Sequence, residues 1–414
     1  MEIEYRASDE VRDVIASLGR TEDVRFSPNN RRLAIAAFRH NAVAVFDVEV
    51  GRIGGRPQVT LSRVTKCTSP CLNYPHGLDF IDDDTIAVVS RGGDVPILKL
   101  PASNNAGPIC ELSPVRILRS DETPSLVFPG SVAVIRPARS PYELLICNSG
   151  GNTVTRHILD GNGTAASCSV LLQKWLGTPD GVSISGDQRW IAISNHDAHN
   201  VMLYRNEPSL NEGSDPDGIL RSVTYPHGVR FTADGRHILL ADAGAPYVHV
   251  YASDDGSWHG LHNPLASIRV MAQSTYEAGR NNPKEGGPKG IDLDKSMSVL
   301  ATTCECQPLA FFDLPAILQR ASEGARVLEL SYELHLVDET MQAQAKVTAA
   351  ERHAASETSR AKAAEHRAAY ETTRAEKFKA KAAKEKAKRK AAKGAVRRIA
   401  APLGRLYSAL RRPN

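Results

Sequence analysis

The chain has 414 residues, of which 42% are hydrophobic and 24% are charged, and these proportions exclude a protein that is disordered throughout. No uncharged apolar run approaches the ~18 residues that cross a bilayer, and the N-terminus has no basic segment followed by an apolar stretch, so we expect a cytoplasmic protein. Residues 338–414 hold 20 basic and 8 acidic side chains, whereas the first 337 residues hold 31 and 39. A mildly acidic body is therefore followed by a strongly basic tail.

After an N-terminal segment, residues 1–19, one pattern recurs six times in the body. An apolar run meets a polar turn, a second apolar run follows, and a third run alternates with period two, as in Tyr247–Tyr251. The first strands of the copies are centred on Phe26, Phe80, Val134, Ile184, Phe231 and Leu293, with spacings of 54, 54, 50, 47 and 62 residues.

A fourth apolar run closes each copy. These runs are QVTLSRV (58–64), PVRILRS (114–120), CSVLLQK (168–174), ILRSVTY (219–225), SIRVM (267–271) and RVLELSYEL (326–334). Six four-stranded units at a near-constant period predict an all-β, six-bladed β-propeller over residues 20–336. Seven blades are the alternative, because residues 1–20 could add a strand. The 62-residue step predicts a long loop at Gln273–Gly286.

The best preserved copy carries a resemblance to known propellers. The run Pro226-His-Gly-Val-Arg-Phe-Thr-Ala-Asp-Gly-Arg236, followed by Ala-Asp-Ala-Gly and Val-His-Val-Tyr, resembles the repeats of NHL, gluconolactonase-like and strictosidine-synthase-like, and YVTN lactonase-like propellers. The resemblance covers about residues 20–335 and implies the fold, while such propellers host hydrolases, lyases, oxidoreductases and scaffolds. A gluconolactonase-type metal site takes a glutamate from an early blade with asparagine and aspartate from later ones, and Arg20-Thr21-Glu22-Asp23 corresponds to it only loosely.

Strand order places two sets of loops on one face of the predicted propeller, here called the upper face. They are the loops before the innermost strands and the loops between second and third strands. The first set includes Tyr74-Pro-His-Gly77, Thr178-Pro-Asp-Gly181, Tyr225-Pro-His-Gly228 and Gly287-Pro-Lys-Gly290. Because His76, Asp180 and His227 share one position in their blades, we expect them to converge on the central axis.

Imidazole, carboxylate and amide groups around a channel are what a polar ligand or a divalent cation requires. No catalytic residue and no cofactor is predicted outright, and a divalent cation held by His76, Asp180 and His227 is left open. The competing interpretation is structural, since Pro-x-Gly is also a turn that brings the backbone close to the channel. The candidate ligand-binding residues are His76, Asp180, His227, Asn195, Asp197, Asp242 and Lys289.

The tail divides into two segments. Residues 337–394 are rich in Ala, Lys, Glu and Arg, which are strong helix formers, so the sequence predicts a long basic α-helix. A heptad frame can be drawn through it, but Glu357, Glu371 and Glu385 fall on the seam, so weak self-association is expected rather than a tight coiled coil.

Residues 395–414 predict a basic amphipathic helix in which an apolar stripe runs between arginines. Such a helix suits an anionic membrane surface or a groove on a protein partner, with nucleic acid as the third alternative. The segment is similar to the C-terminal ends of some bacterial envelope-polysaccharide glycosyltransferases. Its candidate contact residues are Arg397, Arg398, Leu403, Leu406, Tyr407, Leu410 and Arg411.

Two functions follow from these observations. The leading prediction is a cytoplasmic recognition or scaffold propeller that binds a protein or glycan-like ligand at its upper face. Its tail would hold it on a partner or on the inner face of the membrane, with an expected link to envelope polysaccharide assembly. The alternative is a lactonase-like, metal-dependent hydrolase in which His76 or His227 is the general base and Asp180 with Asn195 holds the cation.

Overall fold

The structure, a computed structural model, describes residues 2–102, 107–120, 126–136, 142–159, 165–280 and 284–324. Within these ranges six β-sheets are built around six sets of consecutive antiparallel strands, which confirms the six-bladed β-propeller. The predicted tail segments, 337–394 and 395–414, lie outside the described residues. No helix in the described ranges is both long and apolar enough to cross a membrane.

Each blade runs outward from an innermost strand at the channel. Blade one contains Thr21–Phe26, Arg32–Ala37, Ala42–Ile53 and Arg56–Thr68. Blade two contains Pro75–Phe80, Thr85–Ser90, Val95–Lys99 and Pro114–Leu118, and blade three contains Pro129–Ile135, Tyr142–Asn148, Thr153–Leu159 and Ala165–Leu172. Blade four contains Pro179–Ile184, Trp190–Asn195, Asn200–Arg205 and Gly218–Leu220, and blade five contains Pro226–Phe231, His237–Asp242, Tyr247–Ala252 and Ala266–Arg269. Blade six contains Gly290–Leu293, Val299–Thr303 and Ala310–Asp313.

The N-terminus closes the ring. Glu2–Ile3 pairs antiparallel with Ala310–Asp313, so the first strand of the chain is the outermost strand of blade six. The extra strand expected from residues 1–20 therefore completes the sixth blade and does not begin a seventh. The fourth strand predicted at 326–334 lies outside the described residues.

Short strands extend the outer edges of two blades. Arg6–Ala7 and Ile109–Glu111 each pair parallel with Arg56–Thr68, and Gly260–His262 pairs parallel with Gly218–Leu220. The described α-helices are Asp9–Ser17, Gln273–Ala278 and Leu314–Ser322, and Phe38–His40 and His196–Ala198 are short 3₁₀-helices. The second helix begins the long connection that was expected at 273–286.

The hydrophobic core lies between blades. The described residues form six buried apolar clusters, one at each of the six blade–blade contacts. The period-two alternation explains this arrangement, because successive strand residues face opposite neighbours. In blade one, for example, Phe46 packs toward blade six, whereas Val45 packs toward blade two. A single blade could not bury both faces, so the ring is the unit that folds.

Candidate functional site

Each blade carries one residue at an equivalent position at the upper end of the channel, within the innermost strand or, in blade six, directly before it. Each of these residues lies four positions before the residue that centres the first strand of its copy. The set, here called the mouth ring, consists of Glu22, His76, Gly130, Asp180, His227 and Lys289.

The structure brings His76, Asp180 and His227 together, with Glu22 among them. The two imidazole rings stack with their centroids 5.3 Å apart. Glu22 Oε2 lies 3.4 Å from His76 Nε2 and 3.6 Å from His227 Nε2, and Asp180 Oδ2 lies 3.4 Å from His227 Nε2. All four side chains are buried. The expected convergence on the axis is therefore present, while a ligand-binding role for these residues stays a prediction.

Glycine at the blade-three position makes room for a bridge across that blade. A Cβ built on Gly130 would lie 2.2 Å from Asp180 Oδ1 and 2.9 Å from Ser149 Oγ. In that space the Arg91 guanidinium donates to Asp180 Oδ1 at 2.8 Å and to Ser149 Oγ at 2.7 Å. Arg91 Nη2 also lies 2.9 Å from His76 Nε2. Blade three therefore contributes space, which Arg91 from blade two uses to reach Asp180 of blade four.

Backbone contacts fix the orientation of the blade-two histidine. His76 Nδ1 donates to the carbonyl of Gly130 at 2.7 Å, so Nε2 carries the lone pair that faces Glu22 and Arg91. Gly77, which follows His76, is needed for the same close approach, because a Cβ there would meet Ser131 Cα at 2.6 Å. Pro-x-Gly can therefore act as a turn and still direct the side chain of its middle residue toward the channel.

A carboxylate from the long connection covers the mouth ring. Lys289 Nζ lies 3.2 Å from Glu22 Oε2 and 2.7 Å from Glu285 Oε2. Glu285 Oε1 lies 3.3 Å from His196 Nε2, and Arg20 Nε forms an ion pair with Glu22. Together with the Arg91–Asp180 pair, three carboxylates face three permanently cationic side chains, so the charges of these six groups balance.

The surroundings shift the pKa values of these groups in opposite directions. Burial and the Arg91 guanidinium lower the pKa of His76 to about 3, so this ring is neutral at physiological pH. Burial by itself would raise the pKa of Glu22, but Lys289, the two ring histidines and Arg20 together outweigh burial and hold that pKa well below its ordinary value. For Asp180, burial would again raise the pKa, but Arg91 together with His227, His76 and His196 outweighs burial and lowers it.

Burial and neighbouring charges also oppose each other at Glu285 and His196. Burial would raise the pKa of Glu285, but hydrogen bonding to His196 and the charge of Lys289 lower it. Burial would lower the pKa of His196, but the hydrogen bond to Glu285 and the charges of Asp180, Glu285 and Asp197 together raise it. The carboxylates are therefore ionised and the blade-two imidazole is a free base, which is the protonation state that a cation site or a general base needs.

The space between these side chains is small. The cavity lined by the mouth-ring residues other than Lys289 measures about 10 Å³, which is about the room for one water. Glu22, His76 and His227 each offer one ligand atom, and these atoms lie within 4.8 Å of one another. The site can hold a single small ion or a water, and a larger ligand would have to lie above it.

The channel continues below into a second ring, three residues further along each innermost strand, in which four of the six residues are charged. Arg230 Nε pairs with Asp292 Oδ1 at 2.9 Å. The carboxylates also join blades: Asp79 Oδ2 accepts from the backbone N–H of Val134, and Asp292 Oδ2 accepts from that of Phe26, each at 2.7 Å. These bonds link blade two to three and blade six to one. A wider cavity of about 310 Å³ opens at this end.

Two candidate residues are turned into their own blades. Asn195 accepts from the N–H of Gly177 at 2.6 Å and donates to the carbonyl of Trp175 at 3.0 Å. Asp242 accepts from the backbone N–H groups of Thr224, Tyr225 and Gly244. Neither lines the mouth cavity. The hydrolase hypothesis required Asn195 and Asp180 to bind the same cation. The Asn195 amide instead bonds to backbone groups of its own blade, so the two side chains do not form that pair.

Asp197 and the tail residues stand apart from this cluster. Asp197 lies on the rim, where its carboxylate accepts from Thr178 Oγ1 at 2.7 Å and from Lys284 Nζ at 3.2 Å. The tail candidates lie outside the described residues; they are Arg397, Arg398, Leu403, Leu406, Tyr407, Leu410 and Arg411.

Exposed aromatic side chains stand on the upper face around the mouth. Tyr74, Phe128 and Trp175 are 49%, 52% and 64% exposed. Among the large apolar residues that are strongly exposed in the described ranges, these three are the aromatic ones. All three have a left-handed backbone, with φ of 57°, 48° and 66°. Bulky residues rarely adopt this conformation, and such strain concentrates at functional sites. We call these three residues the aromatic collar.

Two residues of the site are not among the candidate ligand-binding residues of the sequence. The sequence relates Glu22 only loosely to a gluconolactonase-type metal ligand, because blade one has Thr21 and Asp23 where four other blades have proline and glycine. Counting back four residues from Phe26 identifies it, so the repeat itself contained the signal. Glu285 lies in an irregular connection, and no pattern in the sequence points to it.

Comparisons with known proteins add little to this description. No protein-family model matches the chain, and no curated protein matches it. Among solved structures, a chain of a mitotic checkpoint complex is similar, with 10% identity over 71% of this chain and 76% of that chain and a TM-score of 0.45. A functionally unknown protein from Desulfotomaculum acetoxidans is 12% identical over 71% of this chain and 83% of that chain, also with a TM-score of 0.45.

Fold and site therefore define a six-bladed β-propeller with a charged, histidine-containing channel mouth. The resemblance to NHL, gluconolactonase-like and YVTN lactonase-like repeats stays a prediction.

Proposed function

We propose that the protein is a recognition propeller whose upper face binds a segment of a partner protein. The observation that carries the proposal is the aromatic collar, Tyr74, Phe128 and Trp175, which stands exposed around the mouth. Aromatic and arginine side chains dominate the binding energy of protein interfaces. Here the collar is joined by cationic side chains, since Lys174 lies over the Trp175 ring at 5.5 Å and Arg91 donates to the carbonyl of Phe128.

The dimensions of the mouth favour binding over turnover. A cavity of about 10 Å³ does not admit a sugar ring or a lactone, so a ligand would rest on the collar and place at most one polar group on the mouth ring. Strained, exposed rings cost stability in the free protein, and a partner that covers them would offset that cost. A glycan-like ligand uses the same rings and is the other outcome of the test below.

Site-directed photo-crosslinking in cells tests the proposal. A photoreactive residue at position 175 should give a discrete adduct that protease digests, whereas one at position 115 should give none. Val115 is the matched control, because it is equally exposed at 64% but lies on the outermost strand of blade two. Phe128→Ala should reduce the adduct by ~30-fold, as expected for a contact worth about 2 kcal/mol. Equal adducts at both positions would contradict the proposal, and a protease-resistant adduct would favour a glycan.

The second candidate function is a lactonase-like hydrolase, which the neutral His76 beside two carboxylates favours. In that case His76 would be the general base, and the mouth would have to open to admit substrate. Incubation with simple lactones, followed by proton release, tests this candidate. Activity that falls at least ~100-fold in His76→Gln and stays in His249→Gln, a buried histidine outside the ring, would favour the enzyme.

For the tail we propose tethering to an anionic membrane surface on the cytoplasmic side, with a link to envelope polysaccharide assembly. The support is the sequence of residues 395–414, where an apolar stripe runs between arginines. Deleting these residues should release most protein from anionic vesicles and leave the propeller folded. Replacing Leu403, Leu406 and Leu410 by serine should weaken binding about as much as replacing the arginines, because both burial and charge contribute. Binding to nucleic acid but not to vesicles would reject the tether.

A further inference from the structure

One carboxylate oxygen at the centre of the mouth ring is left without a hydrogen bond. Glu22 Oε2 is buried, and no donor satisfies it with hydrogen-bond geometry. Three nitrogens nevertheless surround it at 3.2–3.6 Å: Lys289 Nζ, His76 Nε2 and His227 Nε2. A buried carboxylate oxygen that has ion-pair contacts but no hydrogen bond is costly. The arrangement indicates an occupant that can accept lone pairs from this oxygen and from the imidazole nitrogens together.

The distances fit a small metal ion. With metal–ligand bonds of about 2.1 Å, two ligands of a tetrahedral ion lie about 3.4 Å apart. Glu22 Oε2 lies 3.4 Å from His76 Nε2 and 3.6 Å from His227 Nε2, and all three atoms fall within 4.8 Å of one another. Two imidazoles and one carboxylate, with a position left over, form a donor set that zinc uses in proteins.

His76 is also oriented as a metal ligand requires. His76 Nδ1 donates to the Gly130 carbonyl, which fixes Nε2 as the atom with the free lone pair. All three residues are buried near the starts of innermost strands, so the rigid sheets hold them. The Asp180 carboxylate, 3.4 Å from His227 Nε2, adds negative charge beside the position.

Two cationic side chains now contact the ligand atoms, and each has other partners. Arg91 Nη2 lies 2.9 Å from His76 Nε2, but the guanidinium is also bound to Asp180, Ser149 and the carbonyl of Phe128. Lys289 Nζ lies near Glu22 and is held at 2.7 Å by Glu285. Both side chains could move away from the ligand atoms and stay paired with a carboxylate, Asp180 for Arg91 and Glu285 for Lys289. They therefore compete with a divalent ion for the ligand atoms, and the ion would displace them.

We propose that Glu22, His76 and His227 bind one divalent transition-metal ion, with zinc the best match, at the mouth of the channel. The site stands independently of what the upper face binds, because it rests on the mouth ring and not on the collar. An absent crosslink at position 175 would leave it intact.

The test uses the full-length protein without an affinity tag, stripped with a chelator and dialysed against Zn²⁺ or Co²⁺. We expect one ion per chain and a Co²⁺ visible spectrum of nitrogen and oxygen ligands. His76→Ala and His227→Ala should each weaken binding at least ~100-fold. His249→Ala, a buried histidine that bonds Asp242 and Ser267 in blade five, is the matched control and should keep the ion. Lys289→Met should tighten binding about tenfold, because it removes a competing charge.

Several results would overturn the proposal. They are no binding of Zn²⁺ or Co²⁺ by the wild type, binding that survives both ring-histidine variants, and an affinity of Lys289→Met equal to or below that of the wild type. If the histidine variants do not fold, the Co²⁺ spectrum of the wild type still decides, because sulfur-to-cobalt charge-transfer bands would place the ion on cysteines instead.

Discussion

Replacing Gly130 by alanine should destabilise the propeller through the bridge that crosses blade three. The new Cβ would lie 2.2 Å from Asp180 Oδ1, so Asp180 would have to retreat by about 1.2 Å to reach the ordinary contact distance of 3.4 Å. A movement of that size takes Asp180 off the Arg91 guanidinium, which it now contacts at 2.8 Å. Overpacking costs about 1–3 kcal/mol and breaking a buried ion pair about 3–5 kcal/mol, so we expect a loss of about 3 kcal/mol.

Urea unfolding of the full-length protein, followed by tryptophan fluorescence, measures this loss. With an m-value of about 3 kcal/mol/M, the midpoint should fall by about 1 M. Gly51→Ala is the matched control, because a Cβ there has no neighbour within 4 Å, and it should change stability by less than about 0.5 kcal/mol. Equal midpoints for the two variants would refute the reasoning, since the space at Gly130 would then not be what Asp180 and Arg91 require.

Three further predictions concern stability, each measured by the same unfolding assay. Burial lowers the pKa of His157 to about 4, so between pH 7.5 and 5 the unfolded chain takes up a proton that the folded chain does not. Over this range the free energy of unfolding of the wild type should fall by about 2 kcal/mol relative to that of His157→Gln. A difference between the two proteins that is independent of pH would contradict this. Asp79→Ala leaves the N–H of Val134 without its acceptor from blade two and should cost about 1–3 kcal/mol, with a change below about 0.5 kcal/mol as the contrary result. Deleting residues 1–7 removes the strand that closes blade six and the apolar contacts of Ile3 and Tyr5, so the midpoint should fall; an unchanged midpoint would mean that the ring closes by other contacts.

The fold could be predicted because the same physical requirement repeats six times. Each blade must bury both faces, so apolar residues recur with period two along its strands and polar turns recur at nearly constant spacing. Closure through Glu2–Ile3 could not be predicted with the same ease. A two-residue strand carries too little pattern, and its partner lies at the far end of the body.

The candidate site could be predicted only where the repeat fixes position. Pro-x-Gly identified His76, Asp180, His227 and Lys289, which the structure brings together at the mouth. Asn195 and Asp242 also follow from strand order, but a position on a face does not set the direction of a side chain. Loop N–H groups without other acceptors turn Asp242 inward.

The mouth ring shows how a sixfold repeat produces an asymmetric site. If all six positions carried long side chains, they would fill the channel, and no group from another loop could enter. Gly130 breaks the ring at one blade, and through that gap Arg91 of blade two reaches Asp180 of blade four. The same gap exposes the Gly130 carbonyl that orients His76. The residue with no functional group therefore determines which atoms of its neighbours face the centre, and a site search based on reactive side chains alone would overlook it.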